Sequence, residues 1–279
     1  MITNYHTHCY LDDGQLPLEE YVRQAVDKGF SALGFSCHAP NDIDRTWHLK
    51  AEDFDYYLQE INRLKESYKG KIEIYGGLEA EFFELDDSLG GLEYKNRLDF
   101  LIGAVHFFYH PKSNRYVEID YTSDNFEMLL ADNFNNDIKE LINHYFSLQE
   151  RLITAYDFDF LAHCNVVEKH NNGNRYFDPA ESWYVERAKK MFEIAKKHNK
   201  RIEINTGAVA RKGAKYPYPS PLLLKECAFL EIPMVLSSDA HHPDNLDYHF
   251  SESKELLKQV GYNSLDLLIN KNWKSVKID

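Results

Sequence analysis

Short apolar runs rich in β-branched and aromatic residues alternate with longer stretches whose apolar positions recur at helical spacing. The runs at residues 2–5, 32–36, 72–78, 100–105, 158–162, 201–205 and 233–237 predict seven strands. Between the first two, Leu18, Tyr21, Val22, Ala25 and Val26 form one apolar helix face that Pro17 opens and Gly29 closes. A second helix is predicted from about Ala51 to Tyr68, stopping at Gly70, and a third from near Asp124 to about Gln149. Asp178-Pro179 and Ser220-Pro221 each set a capping residue before a proline suited to the first helical position, and the first of these helices should reach Lys197. Residues 84–97 and 166–177 break the alternation and read as excursions.

A strand-helix alternation from end to end calls for a parallel sheet covered by helices. Seven strands in 279 residues suit one barrel domain, residues 1–279, related to the (β/α)8 type; an open doubly wound sheet is the alternative. Neither GxGxxG nor GxxxxGK[ST] occurs, which leaves a nucleotide-binding crevice without support. An aromatic content of 14% supplies a large core and argues against disorder. Lys and Arg number 32 against 45 Asp and Glu, a net charge of −13 with no basic cluster, so neither nucleic acid nor an anionic membrane is an expected partner. No apolar run approaches the ~20 residues of a membrane helix, and the first residues lack the basic start and apolar stretch of a signal peptide. Four widely spaced cysteines fit a reducing environment, and the expected location is the cytoplasm.

The chemistry collects where the predicted strands end. The first runs into His6-Thr7-His8, the second into Cys37-His38, and the third ends at Glu79 with Glu81 close behind. The fourth runs into His106, the fifth into His163, and the last into Asp239-Ala240-His241. In a parallel barrel the carboxyl ends of the strands share one face, so these groups should converge there. Period-two geometry also sets His6 with His8, and Asp239 with His241, on common sides. Any one of these histidines alone would read as a hydrogen-bonded core residue, but unpartnered burial of so many imidazoles and carboxylates would cost several kcal/mol apiece. Divalent cations remove that cost.

Mixed nitrogen and oxygen donors suit Zn2+, Fe2+ or Mn2+, and their number points to two or three ions. Cys9, Cys37 and Cys164 adjoin proposed ligands but should face the opposite side as packed core residues; a mononuclear zinc-thiolate site is the minor alternative. Such a centre favours hydrolysis by metal-bound hydroxide, because paired metals make water a nucleophile and clamp a phosphoryl oxygen. No GxSxG elbow offers a serine in its place.

These motifs resemble the polymerase and histidinol phosphatase (PHP) superfamily along nearly the whole chain. His6-Thr7-His8 is similar to its H-x-H motif, with Asn4 where many members carry Asp. Residues 34–40, Gly-Phe-Ser-Cys-His-Ala-Pro, resemble a G-F-S-D-H-A-P segment, Cys37 replacing the acid. Gly77-Leu78-Glu79 resembles G-x-E, Ser238-Asp239-Ala240-His241 the closing S-D-A-H, and Asp13-Gly14 falls where the family places a further ligand. Glu203-Ile204-Asn205-Thr206 and the stretch from Arg211 to Ser220 are similar to the stand-alone histidinol-phosphatase branch.

The resemblance implies a distorted (β/α)7 TIM-like barrel and hydrolysis of L-histidinol phosphate to L-histidinol and phosphate in histidine biosynthesis. It also implies a ligand set: His6, His8, Glu79 and Asp239 for a first metal, Glu79 bridging to a second completed by His106 and His163, and Asp13, His38 and His241 for a third. Arg211, following the sixth strand, is the leading phosphate-binding candidate because guanidinium forks onto phosphate oxygens; Lys212 and Arg175 are others, and Asn205 can reach substrate or a bound water. Asp239, His241 and Glu81 are candidate proton donors to the leaving group. Glu81 and the Tyr-rich loops are candidates for the substrate's ammonium or imidazole. Two rival readings stand: a phosphoesterase for another small phosphomonoester or nucleotide, and a metal-stabilised scaffold without turnover.

Overall fold

A computed structural model describes residues 1–43, 45–212 and 214–279, the side chain of Lys212 excepted. Seven parallel strands follow one another in chain order around a nearly closed barrel. They are β1 (Thr3–Asn4), β2 (Ala32–His38), β3 (Glu73–Phe83), β4 (Phe100–Ala104), β5 (Phe160–Leu161), β6 (Arg201–Asn205) and β7 (Met234–Ser237). Each predicted strand is present, and the barrel rather than the open sheet is the fold. β3 is longer than the pattern implied, so Glu79 and Glu81 lie within it, paired across to Ile102 and Ala104.

Regular pairing of β1 stops at Asn4, and the barrel seam is joined beyond the strands, where Thr7 pairs with Ala240. His8 N donates to Ala240 O at 2.9 Å and Ala240 N to His6 O at 3.1 Å. The Asn4 side chain ties the same seam: Nδ2 donates to Ser238 Oγ (2.7 Å) and Leu246 O (3.2 Å), while Oδ1 accepts from His6 N (3.1 Å) and Ser238 N (3.2 Å). An Asp at this position would lack the two donor bonds.

The helices add apolar residues to the core around the barrel: α1 (Leu18–Asp27), α2 (Phe54–Ser67), α3 (Ser123–Phe134), α4 (Ile138–Ala155), α5 (Ser182–Lys197), α6 (Gly207–Lys212), α7 (Pro221–Phe229) and α8 (Phe250–Val260). Five depart from the sequence pattern. The single helix expected over residues 124–149 is α3 and α4, broken where Asn135 and Asn136 take left-handed φ of 50° and 64° and the Asp137 carboxylate caps the new N-terminus through Lys139 N and Glu140 N. Asn tolerates that conformation, and apolar periodicity continuing across it hid the break. α5 begins at Ser182, because Asp178 caps a tight turn at Ala180 N instead of the helix. α6 and α8 had no predicted counterpart.

Residues 264–277 were also unforeseen. They form an antiparallel hairpin, Ser264–Ile269 with Asn272–Lys277, that floors the barrel. Leu268 N donates to Tyr5 Oη at 2.9 Å, and the Trp273 ring lies 5.3 Å from Tyr5 and 5.9 Å from Phe160. Tyr5, Tyr75, Phe100, Ile102, Phe160 and Val235 pack with Leu268 into an apolar interior. Tyr75, Glu79 and Glu81 share one face of β3, so the interior turns from apolar to ionisable toward the strands' carboxyl ends.

Asn4→Ala strands two buried backbone donors and should cost about 2–4 kcal/mol. Scanning calorimetry of the metal-free protein is expected to show a midpoint on the order of 10 °C lower, and a drop under about 2 °C would show that the seam does not depend on Asn4.

Candidate metal centre

The strand ends bring the predicted ligands together. Glu79, 1% exposed, is the hub. Its Oε2 lies 3.1 Å from His6 Nε2, 3.2 Å from His38 Nδ1 and 3.6 Å from His8 Nε2. Its Oε1 lies 3.0 Å from His163 Nε2, which is itself 3.1 Å from His106 Nε2. Asp239 Oδ1 lies 3.3 Å from His8 Nε2 and 3.8 Å from His6 Nε2. On the other side of His8, Asp13 Oδ2 meets His241 Nε2 at 3.0 Å, and the His241 ring stacks on His8 at 4.2 Å. Donor atoms within 4.8 Å of one another form the groups His6/His8/Asp239, His6/Glu79/His163 and His8/Asp13/His38/His241.

This spacing fits cations. Two ligands at ~2.1 Å from one tetrahedral ion stand about 3.4 Å apart. His6 Nε2 and His8 Nε2 are buried and make no hydrogen bond, since the neighbouring carboxylates lie off the donor axis. Their opposite nitrogens are held firmly: His6 Nδ1 by Glu203 Oε1 at 2.7 Å and His8 Nδ1 by Asp12 Oδ2 at 2.6 Å. Glu81 plays the same part for His106 Nδ1 at 2.8 Å. A carboxylate on the far nitrogen fixes tautomer and ring orientation and aims the free nitrogen at a metal.

Two tight turns make these contacts possible. A Cβ on Gly14 would fall 2.4 Å from Cys9 N, so only glycine lets residues 12–14 curl back until Asp12 reaches His8 and Asp13 reaches His241. Asp239 sits at a left-handed φ of 50°, a strained setting of the kind that gathers at functional sites.

Charge balances within the cluster. Burial acts to lower the imidazole pKa values, yet the carboxylates prevail: Glu203, Glu79 and Asp239 hold His6 well above its ordinary value, and Asp12, Asp239 and Asp13 do so for His8. Glu81 and Glu79 likewise raise His106 to about 10 against burial. His241 is lowered instead, by burial and by His8 and Arg211 beside it. Against the upward push of burial, His6 and His38 keep Glu79 well below the usual carboxylate range, His106 brings Glu81 to about 2, and Arg211 and His6 depress Asp239.

The cluster floors a cavity of about 570 Å3 whose walls include Trp47, Glu118, Asp120, Tyr121, Lys169 and Arg211. Arg211, about one-third exposed, binds Asp239 Oδ2 at 2.7 Å and His241 Nδ1 at 2.9 Å. A Cβ on Gly207 would crowd its Nη2 at 2.9 Å. Lys169 Nζ pairs with Asp120 Oδ2 at 2.6 Å.

The remaining sequence candidates lie elsewhere or are already engaged. Asn205 is buried, its Nδ2 donating to Glu203 and Asp239 and its Oδ1 accepting from Gly207 N. Arg175 pairs with Glu127 on the surface and does not line the cavity. The Lys212 side chain lies outside the described residues. Cys9, Cys37 and Cys164 are fully buried, and burial pushes the Cys37 and Cys164 thiols up, as packed core residues require.

Residues 3–207 match the family model of the PHP domain. The chain belongs to the PHP family. Among curated relatives it is 28% identical over 282 residues to "Probable histidinol-phosphatase" of Schizosaccharomyces pombe, covering 94% of this chain and 87% of the relative. It is 25% identical over 248 residues to "Histidinol-phosphatase" of Bacillus subtilis, covering 84% and 90%. A crystal structure of histidinol phosphate phosphatase from Lactococcus lactis, complexed with zinc, L-histidinol and phosphate, superposes with a TM-score of 0.71 at 19% identity, covering 98% of both chains.

Sequence reading overlooked Asp12 and Glu203 beside the cluster, and Glu118, Asp120 and Lys169 on the cavity walls. Glu203 carried a weak signal, standing two residues from Asn205 on one face of β6. Asp12 carried one in its place just before Asp13-Gly14. The other three lie on connections after β4 and β5, whose course the pattern does not fix.

Titrating Zn2+ into metal-free protein at about pH 7.5 should release protons, because ligand imidazoles must be neutral. The calorimetric heat is then expected to vary with the buffer's ionisation enthalpy; a buffer-independent heat contradicts the ligand set. Asp12→Asn and Glu203→Gln should each weaken binding about 10–100-fold.

Proposed function

We propose that this chain is a metal-dependent phosphomonoesterase that converts L-histidinol phosphate and water into L-histidinol and phosphate. The observation that carries this reading is the pairing of opposite charges around one cavity: Arg211 and Lys169 for an anion, Glu118 and Asp120 for a cation, above the ligand cluster. A substrate that is phosphate at one end and ammonium and imidazole at the other fits that pattern; a neutral sugar phosphate uses half of it. The names of the curated relatives support the same substrate.

The ligands fit two or three divalent ions (Zn2+, Fe2+ or Mn2+): His6, His8, Glu79 and Asp239 for one, Glu79, His106 and His163 for a second, Asp13, His38 and His241 for a third. When bound, such ions neutralise phosphate charge and make water a competent nucleophile near neutral pH. The protein's own groups do the positioning. Glu203, Asp12 and Glu81 hold the imidazoles in register, and Glu81, fully enclosed against His106 and His38, keeps to that role. Asp239 and His241 line the cavity. Because, against the push of burial, Arg211 and His6 hold Asp239 well below the usual carboxylate range, His241 is the better candidate to pass a proton to the leaving alkoxide. Arg211 forks onto phosphate oxygens with Lys169 beside it.

We place the enzyme in the cytoplasm, where its four free buried thiols would persist. Among the described residues no helix is long and apolar enough to cross a membrane. The charge of −13 disfavours long nucleic acid as substrate.

Phosphate release from histidinol phosphate, a nucleoside monophosphate and a 3′-phosphorylated oligonucleotide tests the proposal, with the first expected to lead in kcat/KM by about 100-fold or more (~2.7 kcal/mol). His8→Ala and Glu79→Ala should abolish turnover, whereas Arg211→Ala should mainly raise KM. Undiminished turnover in Glu79→Ala removes the bridging assignment; preference for another phosphomonoester removes the substrate.

A further inference from the structure

Among the aromatic side chains that line the cavity, apart from the histidines, are Trp47, Tyr121 and Tyr218. They are not equivalent. Tyr121 is 67% exposed, and Tyr218 is 9% exposed, its main chain bonded to Asn205 on β6. Trp47 lies between these extremes, on the connection between β2 and α2, and is held from several sides. Its ring stacks within 14° of parallel on Phe107 at 5.8 Å and lies 3.8 Å from the His48 ring. It stands edge-on to His38 at 4.4 Å and 6.4 Å from His106.

A large ring fixed beside the ligand cluster is a preorganised surface: contact with a flat ligand needs no further ordering of the indole. Trp47 has no part in the hydrolysis just described. It belongs to neither apolar cluster of the barrel. Trp47 lines the same cavity as Arg211 and Lys169, so a ring carried by a phosphomonoester held there can reach the indole. An indole face stacks on a heteroaromatic ring and gains more if that ring is protonated.

We propose that Trp47 is a specificity-determining residue, the platform on which the substrate's heteroaromatic ring stacks while Arg211 and Lys169 hold its phosphate. This rests on the histidinol phosphate reading and divides its recognition in two. The carboxylates Glu118 and Asp120 read positive charge, and the indole reads flatness and aromaticity. An aminoalkyl phosphate without a ring satisfies the first and not the second.

Steady-state kinetics of the metal-loaded enzyme on L-histidinol phosphate and on O-phosphoethanolamine provide the test. Trp47→Ala should raise KM for histidinol phosphate about 10-fold with kcat within about 2-fold, leave KM for O-phosphoethanolamine unchanged, and be largely rescued in Trp47→Phe. An equal effect on both substrates, or none on either, overturns the assignment. If wild-type enzyme shows no preference for histidinol phosphate over O-phosphoethanolamine, the substrate reading fails and the platform with it; a preference that survives in Trp47→Ala sinks the platform alone. Should Trp47→Ala not fold, indole fluorescence decides. L-histidinol should change the emission of the wild type and not of Trp47→Phe, since Trp183 and Trp273 lie outside the cavity; identical responses overturn the proposal.

Discussion

Carboxylates and imidazoles enclosed together at the barrel mouth can exist only as a mutually neutralising set, and the rest of the structure is arranged to satisfy that condition. Glu79 is almost wholly removed from water, yet against the push of burial the imidazoles around it hold its pKa well below the usual carboxylate range. An unpaired carboxylate in that position would cost several kcal/mol. Against the pull of burial, the surrounding carboxylates raise the pKa values of His6, His8 and His106, which favours a compensating positive charge on these rings. Divalent cations can supply that charge instead, because the same nitrogens are free to turn from proton carriers into ligands. Proton and metal therefore compete for one set of atoms. The outer carboxylates Asp12, Glu203 and Glu81 decide which nitrogen of each ring takes part.

The barrel meets this condition through its pleat. Each strand presents alternate residues to the interior, so one face of β3 carries Tyr75 low in the barrel and Glu79 and Glu81 at its mouth. The apolar half is closed from below by the C-terminal hairpin, with Leu268 and Trp273 against Tyr5. The polar half is closed at the seam by Asn4, whose amide makes three bonds to the chain leaving β7 and accepts a fourth from His6 N. Dry floor and charged mouth are complementary: the first anchors the strands by burial, and the second is held rigid enough to keep donor atoms 3–4 Å apart.

An acidic protein with an anion-seeking site is consistent in this light. The charge of −13 is spread over the whole chain, whereas the cavity sees a cluster whose donor atoms suit cations and two basic side chains, Arg211 and Lys169, each tethered to an acid at 2.7 and 2.6 Å. Local field, not net charge, governs a small substrate, because screening at physiological salt confines each charge's reach to about 8 Å. Glu118 and Asp120 on the same walls give the cavity its second polarity.

Much of this was legible in the amino-acid order alone. All seven barrel strands follow from apolar runs, and His6, His8, His38, Glu79, His106, His163, Asp239 and His241 follow from standing where those runs end, since parallel strands must deliver their termini to one face. Periodicity does not register where a helix pauses while its apolar stripe continues, which hid the break at Asn135-Asn136. It is equally blind to side chains whose role depends on a distant partner. Glu203 matters because β6 passes His6, Asp12 because Gly14 lets a turn fold back on Cys9, and Lys169 because the connection after β5 curls over the mouth. Arg175 and Asn205 show the converse, plausible residue types that tertiary packing commits to Glu127 and to the Glu203–Asp239 network. The sequence by itself determined the barrel and the donors on its rim, because both depend on local period and strand direction. Only the tertiary structure decided which carboxylate faces which imidazole and what surrounds the cavity, because those are contacts between segments far apart along the chain.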